Sequence, residues 1–163
     1  MRREPCRVVS EGVLALGPAR GFTLAELLVV MAITAIITIV AMPSLLTYWR
    51  SATTRAAAQE LAAGLNRARQ LAISQNQSIC VEVALAQYRY RIGGCAGAIW
   101  AGSGAKATGY FALANNVTVT SNANPVFDYL GAATPAATFT VTNPVGGGTR
   151  TVAVSASGRV QIQ

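Results

Sequence analysis

Histidine is absent from the 163-residue chain, and six acidic residues stand against thirteen lysines and arginines. Past position 26 the acids are Glu60, Glu82 and Asp128 alone. General acid–base catalysis and most metal centres draw on histidine and clustered carboxylates. The serines and threonines are numerous but have no evident base partner. The composition therefore predicts no catalytic residue, no metal site and no cofactor, and an enzyme is not expected. The segment GSGAKATG at 102–109 offers glycines and a lysine. It lacks the G-x-x-x-x-G-K-[ST] order and does not open a helix, so it reads as a loop and not as a phosphate cradle.

Cysteine is scarce, with three in the chain, an odd count. Cys6 lies in a basic N-terminal leader, and Cys80 and Cys95 lie far downstream. Removal of the leader leaves those two to pair, closing a loop worth roughly 3 kcal/mol in the chain-entropy model. An oxidising compartment such as the periplasm permits the bond. The alternative is two buried free thiols.

Charge is scarce too, at 12% of residues against 52% hydrophobic, and the apolar excess is concentrated. Leu27 to Met42 carries no charge and is broken only by Thr34 and Thr38. A bilayer-spanning helix needs about 20 apolar residues, which Phe22 to Leu46 supplies if Glu26 is taken in. A soluble helix is rarely apolar on every face for so long. A secretory signal is the competing reading, but its apolar core is shorter, and no A-x-A-type cleavage site precedes Pro43. Ahead of the run, Arg2, Arg3, Arg7 and Arg20 outnumber Glu4 and Glu11. The positive-inside bias assigns that end to the cytoplasm and the remainder to the far side of the membrane.

After the run, Pro43 predicts a kink. The following sequence is rich in Ala, Leu, Gln and Arg, so helix resumes. Leu61, Leu65, Ala68 and Ala72 form a stripe at helical spacing, with Arg55 and Arg67 well away from it and Arg69 near its edge. One long kinked helix from about Phe22 to Ser74 is expected; the alternative is two helices broken at Pro43. From Gln77 the period changes to two. Alternating runs occur in SICVEV at 78–83, QYRYRI at 87–92, NVTVT at 116–120, TFTVT at 138–142, TVAVS at 151–155 and RVQIQ at 159–163. Gly, Pro and Asn clusters separate them, as in an antiparallel sheet or sandwich. The fold class is α+β, with the Leu61–Leu65 stripe covering one sheet face. Residues 22–46 form the membrane half of the helix, 47–75 its amphipathic half and 76–163 a β-rich domain.

At Gly21-Phe22-Thr23-Leu24-Ala25-Glu26 a basic leader ends in Gly and is followed by Phe, a glutamate and an apolar run. This resembles the class III signal of type IV pilins and of the pseudopilins of type II secretion. The resemblance implies a pilin fold and cleavage by prepilin peptidase between Gly21 and Phe22, which removes residues 1–21. It further implies N-methylation of Phe22 and a filament-assembly role for Glu26, with Pro43 as the helix-kinking proline. A charged side chain at mid-bilayer costs about 2.5–3.5 kcal/mol on the translocon scale. The freed amino group of Phe22 on a neighbouring subunit would relieve that cost. The alternative is a snorkelling Glu26 with no partner.

Downstream, NRARQLAISQNQSICVEV, VFDYLG at 126–131 and AVSASGRVQI at 153–162 resemble the GspH/FimT group of minor pilins and pseudopilins. That resemblance implies a low-abundance structural subunit near a filament tip, in the inner membrane with a periplasmic domain. The implied partners are other pilin subunits, prepilin peptidase and the inner-membrane assembly platform. A second function is DNA binding in natural transformation, through a basic surface with Gly158, Arg159 and Arg150. Some FimT-like pilins are implicated in DNA uptake through a Gly-Arg-x-Arg segment; here Gln161 stands where the second arginine is expected. Strand alternation puts Tyr88 and Tyr90 on the face opposite Arg89 and Arg91, so the tyrosines are assigned to the core.

Overall fold

A computed structural model describes residues 21–113 and 117–163. The leader with Cys6, and Asn116 of the NVTVT run, lie outside the described residues. One helix, α1, runs Leu24–Gln75 and is unbroken through Pro43, so the two-helix alternative does not hold. The chain divides into two compact units within this helix, between Val40 and Ala41.

In the first unit the α1 side chains are exposed and, apart from Glu26, Thr34 and Thr38, apolar, including Leu28, Ile36 and Ile39. The two hydroxyls that interrupt the run are satisfied inside the helix. Thr34 Oγ1 donates to the Val30 carbonyl at 2.9 Å, and Thr38 Oγ1 to the Thr34 carbonyl at 2.7 Å. This back-bonding removes the polar cost of placing threonine in an apolar medium. The helix is long and apolar enough to cross a membrane.

In the second unit α1 buries Thr54, Ala57, Ala58, Leu61, Ala62, Gly64, Leu65, Ala68 and Ala72. The stripe recognised from Leu61 to Ala72 thus extends a further two turns toward the N-terminus, mostly through small residues. Small side chains let the sheets approach the helix backbone closely. At Gly64 an added Cβ would lie 2.7 Å from the Tyr88 ring, and the Gly64 carbonyl accepts from Tyr90 Oη at 2.8 Å. The helix stops in a Schellman arrangement: Asn76 takes φ 51°, Gln77 N–H bonds the Ala72 carbonyl and Asn76 N–H the Ile73 carbonyl.

Among the described residues ten strands follow: β1 Ile79–Ala84, β2 Gln87–Ile92, β3 Ala98–Ile99, β4 Tyr110–Ala112, β5 Thr118–Ser121, β6 Val126–Phe127, β7 Ala133–Thr134, β8 Ala137–Thr142, β9 Thr149–Val154 and β10 Val160–Ile162. They form two antiparallel sheets, one ordered β3-β2-β1-β6-β7 with β4 also on β2, the other β10-β9-β8-β5. The alternation read from sequence is met where runs are long. Tyr88 and Tyr90 in β2, and Phe139 and Val141 in β8, point into a core shared with the helix stripe. VFDYLG is strand only at Val126–Phe127. Asp128 Oδ1 then accepts from the Leu130 and Ala132 N–H groups and closes a turn. The 102–109 segment is loop.

Candidate assembly site

The helix start is built by its own sequence. Thr23 Oγ1 accepts from the Glu26 N–H at 3.2 Å, and the Leu27 N–H bonds the Thr23 carbonyl at 3.2 Å. Thr23-x-x-Glu26 is the spacing of a capping box. Glu26 also lies in the first turn, where the macrodipole favours an anion. Thr23 was missed in the sequence reading, although the T-x-x-E signal was present. Among the described residues Glu26 makes no ion pair. Phe22 is exposed, and a Cβ on Gly21 would meet nothing within 4 Å. Packing among the described residues therefore does not require glycine at position 21.

Cys80 and Cys95 are disulfide-bonded, with Cα atoms 5.0 Å apart. The bond ties the turn after β2 back to β1 at the fully buried Cys80. On the same face of β1, Glu82 holds both neighbouring arginines. Arg89 Nε donates to Glu82 Oε2, and Arg91 Nε lies 3.0 Å from Oε1. Arg91 also donates to the Gly97 carbonyl at 2.9 Å. Burial works against the Glu82 charge, but hydrogen bonds and Coulombic attraction from Arg91 and Arg89 outweigh it and hold the carboxyl below its ordinary 4.5. On the opposite face, burial pushes the Tyr88 and Tyr90 phenols up. Arg67, exposed on α1, lies over the Trp100 and Phe111 rings at 5.3 and 5.4 Å. Three of the arginines that give the domain its basic composition are thus spent on internal contacts.

The residues proposed for DNA are not brought together. Arg150 lies in β9 opposite Val141, at the open end of the β9–β10 hairpin, beside Thr151 and Gln163. Arg159 lies at the turn end, where its carbonyl accepts from the Ser155 N–H. With its amide oxygen facing Arg159, Gln161 accepts from that guanidinium at 3.1 Å. Gly158 has a structural role instead. It takes φ +74°, and a Cβ there would collide with the Gly131 carbonyl and crowd Arg69 Nε at 3.4 Å. The arrangement gives the DNA reading no support.

A family model described as type II transport protein GspH matches residues 57–158, and one described as a prokaryotic N-terminal methylation motif matches residues 18–42. No match is found among curated protein sequences. Among solved structures, the type IV minor pilin FimU of Pseudomonas aeruginosa is 24% identical, with a TM-score of 0.52 over 67% of this chain and 91% of its own. The minor pseudopilin EpsH from the type II secretion system of Vibrio cholerae is 12% identical, with a TM-score of 0.53 over 69% and 94%. E. coli GspH is 16% identical, with a TM-score of 0.53 over 69% and 89%. At these identities the likeness establishes the fold, a long N-terminal helix packed on antiparallel sheets. The family rests on the two sequence matches: the chain belongs to the GspH family, structural subunits of the minor pilin and pseudopilin kind that anchor in a membrane and assemble with other pilin subunits.

Proposed function

We propose that this subunit is processed between Gly21 and Phe22 by prepilin peptidase, is methylated on Phe22, and enters a filament at or near its tip through pairing of Glu26 with the Phe22 amine of a neighbour. The observation that carries this reading is a carboxylate without an ion-pair partner among the described residues, in the first turn of an exposed apolar helix. In hydrocarbon or in a packed helical bundle that charge is costly until a cation meets it. The amine exists only after cleavage, so processing acts as the switch from membrane resident to assembled subunit. Before assembly the chain crosses the inner membrane once, with its leader cytoplasmic and its domain periplasmic. The inner-membrane platform is the partner that extracts it.

Intact-mass analysis of the chain from membranes of a host carrying the peptidase tests the processing step. The expected chain begins at Phe22 and carries one added methyl group. A chain that retains residues 1–21 in that host contradicts the proposal. Because Gly21 packs against none of the described residues, Gly21→Leu should block processing while leaving the domain folded.

A further inference from the structure

The face of the second unit where α1 enters it joins three features. Tyr48 and Trp49 are 70% and 67% exposed, the largest aromatic surface on the helix. With Ala52, Thr53 and Ala56 they line an open apolar depression of about 320 Å³. The loop between β8 and β9 lies against the same turn of helix. Asn143 Nδ2 donates to Thr53 Oγ1 at 3.1 Å, and Gly147 packs on the Arg50 backbone. That loop leaves Val145 two-thirds exposed. Basic residues flank this apolar patch. Arg50 reaches toward Gly146, and Arg55 and Arg150 line one cavity of about 420 Å³. Two of the described acids of the domain act elsewhere: Glu82 is ion-paired with Arg89 and Arg91, and Asp128 closes its turn.

We propose that this face docks on the anionic phospholipid surface of the bilayer that α1 crosses. Tyr48, Trp49 and Val145 enter the headgroup boundary, and Arg50, Arg55 and Arg150 meet lipid phosphates. The proposal rests on the reading of α1 as a membrane span. About 20 residues cross the hydrocarbon core; counted from Leu27 they end at Leu46, and Tyr48, Trp49 and Arg50 follow at once. Tyrosine and tryptophan favour that depth, where an apolar ring and a polar edge are both satisfied. Arginines beside them are drawn to anionic headgroups. Docking would fix how far the subunit sits out of the membrane before extraction.

The test uses the full chain with Trp100→Phe, which leaves Trp49 as its one tryptophan. It is reconstituted in vesicles of phosphatidylethanolamine and phosphatidylglycerol. Brominated lipids report Trp49 depth and acrylamide reports its exposure to water. Shallow bromines should quench more strongly than deep ones, with little quenching by acrylamide. Arg55→Gln with Arg150→Gln should lose that protection from acrylamide; an unchanged result overturns the role of the cations. Strong acrylamide quenching with no bromine effect overturns the docking. So does quenching strongest from deep bromines, or protection from both quenchers that follows the protein-to-lipid ratio, which would make the occupant a second copy. If Trp100→Phe does not fold, the difference between the native chain and Trp49→Phe gives the same quantities. Retention through an alkaline carbonate wash tests the span separately. Loss in the wash refutes the span and the docking together, whereas retention with a water-exposed Trp49 refutes the docking alone.

Discussion

Single residues carry two consequences for stability. Gly158 holds a left-handed φ against the Gly131 carbonyl, and Gly131 in turn packs on Arg69 and Ile73 of α1. Alanine at 158 brings both a strained backbone and a collision, so Gly158→Ala should cost about 1–3 kcal/mol in chemical denaturation. Arg159→Ala, on an exposed turn, should cost well under 1 kcal/mol. The Gly-Arg pair therefore divides into a structural half and a dispensable one. Glu82 sets a pH dependence. Its carboxyl is held below 4.5 in the folded chain, so its contribution is complete above the unfolded value and is lost as pH falls through the lower folded one. The melting temperature of the domain should drop on acidification below about pH 4.5. Glu82→Gln should be less stable at neutral pH and flatter across that acid range. An equal slope in both would contradict the pairing.

Elements differ in how plainly the sequence announces them. The helix was legible because a charge-free run and a 3.6-residue stripe extend over many turns, and its stop was built from Asn76 by a local rule. β2 and β8 were legible because six residues suffice to show alternation. Ala98–Ile99 and Ala133–Thr134 were not, since two residues have no period. They are strands only because they pair with β2 and with β6. The N-terminal methylation motif, matched over residues 18–42, was readable at Gly21, Phe22 and Glu26, yet the Thr23 cap beside it went unread because hydropathy dominated that stretch. Arg89 and Arg91 were correctly placed opposite the tyrosines; their shared partner Glu82 depends on the β1–β2 register, with Glu82 opposite Arg89. The disulfide joins two such elements. Replacing both Cys80 and Cys95 with alanine should destabilise the domain by roughly 3 kcal/mol, read as a lowered denaturation midpoint. The same loss should appear on adding reductant to the native chain and not to the variant.

At the scale of the whole molecule, one helix serves two solvents. Its later part is fixed by an alanine-rich stripe under two sheets, and its earlier part presents apolar side chains that the other described residues do not cover. A bilayer or neighbouring helices would cover them, and on the proposed reading Glu26 distinguishes the two settings, because its charge would gain a cation in the second. Co-purification of Glu26→Ala with assembled filaments, compared with the native subunit at matched membrane levels, tests this most directly. The account predicts normal membrane insertion and processing, with little or none of the variant in the filaments. Incorporation equal to that of the native subunit would contradict it.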